Sequence, residues 1–409
     1  MRRRAESLPL ADPRPDASRP GSVLWSRGLR PFFLLAGVCA LALIPTWVAM
    51  LNGLLPAPAW LSPPWWHAHE MVFGFITAAA SGFLLTAVPS WTGSKPVAGR
   101  GLAALVALWL AGRVVMALAG RLPPIAVAVV DLAYLPVLAV VLARPLLGSG
   151  QWRNYGFVVI LLALATANLL THLDATRVVG GMAHTGLRLA VFLVATLIVI
   201  IGGRIVPLFT QNALRRAGSE AEVRSRPWVN RLAIAAVVLF IAVEMVAPRT
   251  RWTGAAALFA ALVLVVRMSG WQTLRTLRDP LVWSLHLGYA WVAIGLGCIG
   301  LADLFRLVPW TSGVHALTAG AFGTMILAVM TRAALGHTGR PLQAPRGIPE
   351  AYLLVTAGAL LRTTAPVLLP YNLLAALAVA GALWAGAFAL FLAVYVPILT
   401  RPRIDGAPG

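Results

Sequence analysis

The sequence has little charge of either sign, and very little of that charge is acidic. Only 11% of its 409 residues are charged, with 13 aspartate and glutamate residues against 33 lysine and arginine residues. A soluble globular domain carries about 25% charged residues, so this chain lacks the means to cover an ordinary water-facing surface. The composition therefore excludes a soluble enzyme or a soluble binding domain.

Cysteine is also scarce, and several common catalytic motifs are missing. Cys39 and Cys298 lie in separate apolar segments and form no C-x-x-C pair, which excludes a disulfide framework and favours packing roles. The sequence contains no Walker A loop, no H-E-x-x-H and no G-x-S-x-G. These absences give no support to a P-loop ATPase, a zinc protease or a serine hydrolase.

Long apolar runs are the dominant feature of the chain. Hydrophobic residues make up 59% of it, and the mean hydropathy is +0.82. Twelve runs approach the roughly 20 residues that cross a bilayer as a helix, and they lack the alternation of barrel strands. The predicted spans are 29–51, 65–90, 101–120, 125–147, 154–173, 183–209, 229–247, 252–270, 280–301, 313–334, 349–366 and 370–398. The predicted fold is all-α, a polytopic membrane protein with one twelve-helix transmembrane domain at 29–398.

The distribution of basic residues predicts the orientation of the chain. With the N-terminus inside, the tails and inner loops hold 25 of the 33 basic residues, and the outer loops hold 6. This bias predicts that both termini are cytoplasmic in a bacterial inner membrane. Residues 1–28 are polar and rich in arginine and proline, which predicts a disordered cytoplasmic tail, and 399–409 form a second, short one.

The same bias explains the net charge of +20, so no nucleic-acid partner is expected. Membrane lipids are the expected partners, and the polar loop near 210–228 is suited to anionic headgroups. No clear internal repeat is evident in the sequence.

Five of the seven histidines fall at the predicted outer ends of four different helices. Imidazole is the commonest protein ligand for copper, zinc and haem iron, so this placement predicts a metal or haem site near the outer face. The candidate metal ligands are His67, His69, His172, His184 and His315. Glu70 and Arg188 lie at the same level and are expected to support these ligands, since ionisable groups at membrane depth are costly and usually functional or paired.

The spacing of His67 and His69 leaves two arrangements open. Residues i and i+2 of a helix point about 200° apart, so in a helix these two histidines would serve two centres. If Pro63 and Pro64 keep the first turn open, both histidines can turn to the same ion.

A second polar cluster is predicted towards the cytoplasmic face. Arg204, His286, Arg332 and His337 lie in the inner halves or inner loops of their segments, and Pro207 allows a break in the helix after Arg204. Such a cluster would suit haem propionates or another anion. Snorkelling arginines and a histidine packed among aromatic side chains explain the same residues equally well.

Four motifs resemble the signatures of the NnrS family. They are HAHEMVFGF at 67–75, GGRIVPLFTQN at 202–212, the H-x-x-Y-x-W run from His286 to Trp291, and VMTRAALGHTGR at 329–340. The resemblance implies a twelve-helix bacterial membrane protein that contains haem, here haem b, and copper, and is linked to nitric oxide metabolism. It favours His69 as an axial haem ligand, then His67. His286, His315 and His337, with Arg204 and Arg332, also stand in family-like stretches.

The expected function is therefore binding or reduction of nitric oxide at a histidine-ligated metal, in denitrification or nitrosative-stress protection. Reduction would draw electrons from a quinol or a small redox protein. Two alternatives stay open: a secondary transporter, which twelve helices, intramembrane Arg113 and a broken helix would fit, and a non-catalytic metal-handling or sensor protein.

Overall fold

The chain folds into a bundle of twelve membrane-length helices. The computed structural model describes residues 23–58 and 62–406, and within these ranges there is no β-strand. The helices are α1 (Leu29–Leu51), α2 (Pro63–Thr92), α3 (Gly99–Ala117), α4 (Pro124–Gly148), α5 (Trp152–Ala175), α6 (Met182–Arg216), α7 (Pro227–Val246), α8 (Arg251–Met268), α9 (Pro280–Phe305), α10 (Trp310–His337), α11 (Ile348–Leu368) and α12 (Pro370–Thr400). The predicted fold class is confirmed.

Proline fixes where several of these helices begin. Pro63, Pro124, Pro227 and Pro280 occupy the first helical positions of α2, α4, α7 and α9. Proline suits this position because its fixed φ is helical and the first turn has no partner for the missing N–H. The apolar runs that follow set the helix lengths.

Helix α6 is longer than the sequence predicted. It runs for 35 residues and continues through Pro207 to Arg216, so the polar loop begins at 217 rather than near 210. An internal proline removes one backbone hydrogen bond, a loss that transmembrane helices tolerate. Thr210 and Leu214 are buried against the bundle, and their packing favours continuation of the helix.

The first and last helices lie side by side. Arg30, in the first turn of α1, donates through Nη1 to the carbonyl oxygen of Leu399, near the end of α12, over 2.7 Å. The start of α1 and the end of α12 therefore share one face, which we call the N-terminal face. Its assignment to the cytoplasm stays a prediction from the arginine distribution, and residues 1–22 of the predicted tail lie outside the described part of the chain.

Four helices, α2, α6, α9 and α10, are the most deeply buried spans. Helices α9 and α10 approach closely because Gly288 has no side chain: a Cβ there would lie 2.8 Å from the backbone nitrogen of Met325. The central position of α2 and α10 sets where their histidines lie.

Candidate functional site

A group of six polar side chains is buried where α2, α3, α4 and α5 meet, towards the face opposite the N-terminal face. We call it the buried polar group, and its members are His69, Glu70, Arg113, Asp131, Asn168 and His172. All but Arg113 are at least nine-tenths buried. Ionisable side chains at such depth in a membrane protein are costly, so their gathering calls for a function.

Two imidazoles converge on one carboxylate oxygen at the centre of the group. The Oδ2 atom of Asp131 lies 2.9 Å from Nε2 of His172 and 3.3 Å from Nε2 of His69. One donor atom from each of these three residues lies within 4.8 Å of the other two. Metal–ligand distances of about 2.0–2.2 Å separate neighbouring ligand atoms by roughly 3–4 Å, so the three atoms need only small shifts to hold an ion.

Asn168 and Glu70 complete the surroundings of His69. Asn168 donates through Nδ2 to Oδ2 of Asp131 over 2.8 Å, and its Oδ1 lies 2.9 Å from Nε2 of His69. On the other side of the ring, Oε1 of Glu70 lies 3.1 Å from Nδ1 of His69. A carboxylate at the second ring nitrogen is the usual way in which proteins orient a metal-binding histidine.

Arg113 joins the two carboxylates. It donates through Nη1 to Oε1 of Glu70 over 2.6 Å and through Nη2 to Oδ1 of Asp131. With neutral imidazoles the group then carries one arginine charge against two carboxylate charges, a net charge of −1. A buried negative charge is stabilised by a cation, so the electrostatics favour a bound metal ion or a proton on a histidine.

The space at this place fits an ion rather than a porphyrin. The adjoining cavity, bounded by Trp109 and Tyr134, has a volume of about 10 Å³, which is about one water molecule. Two imidazoles, a carboxylate and an amide oxygen are donors that copper, zinc or ferrous iron accepts. The buried polar group is therefore a candidate metal centre.

Helix α2 changes its hydrogen-bond pattern directly after His69. Residues Glu70–Ile76 form a π-helix between two α-helical parts. Helix α10 does the same directly after His315, with a π-helix at Ala316–Phe322. Such π segments are uncommon and often lie at functional sites, so each marks its histidine.

The two helices also share a weak sequence similarity that the sequence analysis did not find. A glycine follows the histidine by five positions in both helices, and a Thr-Gly pair follows it by 23 positions. The recurring residues are Gly74 and Gly320, Thr92 and Thr338, and Gly93 and Gly339. Gly320 makes room for the ring of Trp291 on α9, whereas a Cβ at Gly74 would meet Arg113 on α3 at ordinary van der Waals distance.

His67 and His315 form a second candidate place at the same end of the bundle. The ring of His67 stacks on Trp47 with centroids 4.3 Å apart, and its buried Nδ1 has no hydrogen-bond partner among the residues that the structure describes. His315 has its Nδ1 2.7 Å from the carbonyl oxygen of Thr311, which orients the ring and leaves Nε2 as the lone-pair nitrogen. His67, His315 and Arg362 lie within electrostatic range of one another.

This second place has an excess of unpaired polar atoms. Among the described residues no carboxylate lies within ion-pair distance of Arg362. Within the described ranges, several buried side-chain atoms on the neighbouring segments have no hydrogen-bond partner: Trp47 Nε1, Trp66 Nε1, Trp310 Nε1, Ser312 Oγ and Thr363 Oγ1. Unsatisfied buried polar atoms are rare in folded proteins and indicate a group that is bound there.

The open question of His67 and His69 is answered by the helix. Pro63 begins α2 instead of holding it open, and both histidines are helical. His67 therefore faces Trp47 while His69 faces Asn168 and Asp131. The two histidines belong to two places.

His184 and Arg188 lie apart from both places. His184 is exposed and lies edge-on to Trp65, with ring centroids 6.2 Å apart. Arg188 donates to Oε1 of the buried Glu244 over 3.0 Å. These contacts give Arg188 a role in holding α6 to α7.

The four residues of the predicted inner cluster have different immediate partners. His286 is held by two hydroxyls, with Nε2 2.8 Å from Thr210 and Nδ1 2.9 Å from Thr273. Arg332 is buried over the ring of Phe209, 4.2 Å from its centroid, so it lies near His286.

Arg204 and His337 lie elsewhere. Arg204 is exposed and donates to Oδ1 of Asn154 over 2.8 Å. His337 contacts Arg27, with 3.3 Å between its Nδ1 and Nη1 of the arginine. Since both ring nitrogens of His286 are engaged, the structure offers no open histidine nitrogen at that position.

Three members of the buried polar group, Arg113, Asp131 and Asn168, were not among the predicted site residues. Asp131 and Arg113 carry a signal, because both are ionisable residues inside apolar segments. Asn168 lies four positions before His172, the spacing that places two side chains on one helical face. Nothing in the sequence, however, indicates that α3, α4 and α5 bring these residues to His69.

A twelve-span helical membrane protein with a buried histidine–carboxylate group is the class that the fold and the site define. The family model described as NnrS protein matches residues 23–403, and the chain belongs to the NnrS family. No curated protein matches the chain closely enough to be called a relative. The resemblance seen in the four motifs is thereby confirmed.

Proposed function

We propose that this protein binds haem and copper in a bacterial inner membrane and acts in nitric oxide metabolism or in protection from nitrosative stress. Membership of the NnrS family supports the proposal. The observation that carries it is the convergence of His69, His172 and Asp131 within 4.8 Å of one another inside the bundle.

The copper is assigned to the buried polar group. His69, His172 and Asp131 would hold the ion, and Asn168 would supply a fourth ligand atom, its amide Oδ1, which lies 2.9 Å from Nε2 of His69. Glu70 orients the ring of His69 through Nδ1. A metal ion with an open position supplies a binding site for a diatomic gas.

Arg113 has a separate role in this assignment. By pairing with both carboxylates it holds them in place. It thereby limits the net charge that a bound cation has to balance.

His67 and His315 at the second place would hold the haem, since Nδ1 of His67 and Nε2 of His315 have no hydrogen-bond partner among the described residues. Imidazole nitrogen is a usual protein ligand of haem iron. Arg362, which has no carboxylate partner among the described residues, suits a propionate. Electrons for a reduction would come from a quinol or a small redox protein.

The test is metal and haem analysis of the full chain purified in detergent from haem- and copper-replete cells. We expect copper in the wild type, loss of it in His69→Ala and in His172→Ala, and retention in His184→Ala, the matched control at the same end of the bundle. We expect a Soret band in the wild type that is lost or shifted in His67→Ala and His315→Ala.

The role in nitric oxide chemistry is tested on the same preparations. The reduced wild type should change its visible spectrum on anaerobic exposure to nitric oxide, and consumption of the gas with a reductant would make it a reductase. A colourless and metal-free wild type would overturn the proposal and leave the secondary transporter in first place.

A further inference from the structure

A cluster of basic side chains lies at the N-terminal face, away from both metal candidates. The start of α1, the end of α10 and the residues after α12 meet there. The cluster consists of Arg27, Arg30, His337, Arg340 and Arg403, and we call it the arginine cluster.

Arg30 is the most deeply buried member. It is 1% exposed, and its Nη1 donates to the carbonyl oxygens of Leu399 and Arg401 over 2.7 and 2.8 Å. Its Nη2 is buried and has no hydrogen-bond partner in the described part of the chain. A buried guanidinium nitrogen without an acceptor loses its hydration and gains nothing in return.

Arg27 has the same deficiency. Its Nη1 lies 3.3 Å from Nδ1 of His337, while its Nε is buried and has no partner among residues 23–58 and 62–406. Burial, and after it the charge of Arg403, lowers the pKa of Arg27, and burial lowers the pKa of Arg340. Two arginines of the cluster thus each present an unused N–H.

The charges of the cluster are not balanced. The electrostatic neighbours of Arg30 are Arg340, Arg27 and Arg403, and all of them are cations. The carboxylate in contact is that of Asp405, which pairs with Arg403 over 2.5 Å. Among the described residues, four guanidinium groups therefore face one carboxylate, and the like charges destabilise one another.

We infer that the arginine cluster binds a phosphate group. Guanidinium groups donate pairs of parallel N–H bonds, which match the oxygens of a phosphate and make arginine the common residue for this ligand. The cluster lies where helices end at the membrane surface, so the phosphate comes either from an anionic lipid headgroup or from a soluble phosphate compound. This inference does not depend on the metal or haem assignments.

The test uses the full chain with Arg27→Gln and Arg340→Gln combined. Both side chains are half-buried and hold fewer backbone groups than Arg30, so the variant keeps the contacts between α1 and α12. Arg215→Gln, an exposed arginine at the end of α6, is the matched control.

Thermal unfolding is measured in nanodiscs of pure phosphatidylcholine and in nanodiscs containing phosphatidylglycerol. The phosphatidylcholine sample is also titrated with inorganic phosphate, against chloride of equal ionic strength.

We expect phosphatidylglycerol or inorganic phosphate to raise the melting temperature of the wild type and the control but not of the double variant. A response to phosphatidylglycerol alone identifies the lipid as the source, and a response to inorganic phosphate identifies a soluble one. Native mass spectrometry of the wild type gives a second readout, since retained phospholipid should fall about tenfold in the variant. Equal responses of wild type and double variant, or no response of the wild type to either probe, would overturn the inference.

Discussion

Asp131 is the residue on which the candidate metal centre depends most. Its two carboxylate oxygens contact His69, His172, Asn168 and Arg113. No other carboxylate among the described residues has contacts to two imidazoles. A change at Asp131 therefore affects both the ligand set and the charge of the site.

Asp131→Asn and Glu70→Gln should lower copper content by different amounts. Asp131 supplies a ligand oxygen, whereas Glu70 only orients His69, and loss of such an orienting partner typically lowers metal affinity by about 10–100-fold. We expect a nearly copper-free Asp131→Asn protein and a Glu70→Gln protein that binds copper more weakly, measured by competition with a chelator. Glu244→Gln, a buried carboxylate paired with Arg188, is the control. Copper retention by Asp131→Asn would contradict the assignment.

A second residue-scale prediction concerns the GGR motif. Gly203 has no room for a side chain, because a Cβ there would lie 1.9 Å from Nη2 of Arg267. Arg267 is itself fixed by bonds to Asn230, the carbonyl oxygen of Val199 and the hydroxyl of Tyr289. The motif is thus explained by packing.

Gly203→Ala should destabilise the bundle, since overpacking a tight core costs typically about 1–3 kcal/mol. The measurement is thermal unfolding in detergent. Gly297→Ala in α9 is the control, because nothing lies within 4 Å of its added Cβ. Alanine is also a better helix former than glycine, by about 1 kcal/mol. Equal melting temperatures for the two variants would mean that Arg267 moves aside.

At the scale of the element, hydropathy predicted the helices better than it predicted their internal form. The twelve spans follow from apolar length alone, and the loops follow from their polarity. The continuation of α6 beyond residue 209 was not predicted, because burial of Thr210 and Leu214 arises only from tertiary packing. The π segments were not predicted either, since their residues are as apolar as those of the flanking α-helices.

Deleting Val72 should test what the π segment of α2 does. A π-helical turn holds one residue more than an α-helical turn, so removal of one residue lets Glu70–Ile76 return to α-helical pairing. The backbone then narrows where Glu70 contacts His69, so we expect copper to bind more weakly, measured by competition with a chelator, while circular dichroism reports unchanged helix content. Deletion of Ser94, in the loop after α2, is the control and should retain copper.

At the scale of the whole molecule, the sequence predicted that histidines gather at one face, because span counting fixes which end of each helix carries them. It did not predict which helices adjoin. His69 and His172 meet because α2 and α5 are both packed against α4, which carries Asp131. His184, predicted for the same face, remains exposed because its first-turn position on α6 points away from this contact. The local sequence determines how deep a residue lies in the membrane, whereas the packing of the entire bundle determines which helices are neighbours.

The orientation of the bundle in the membrane is predicted from two independent observations. The hydrogen bond between Arg30 and the carbonyl oxygen of Leu399 places both ends of the bundle at one face, whatever the membrane. The arginine distribution then predicts that this face is cytoplasmic. A fluorescent protein that folds only in the cytoplasm should be bright when fused after Gly409, and alkaline phosphatase, active only in the periplasm, should work when fused after Arg177, between α5 and α6. The reverse pattern would place the buried polar group near the cytoplasm and the arginine cluster outside. An outer location of the metal candidates, in contrast, would give nitric oxide from the periplasm a short path to them, and would leave the arginine cluster facing cytoplasmic lipid and phosphate.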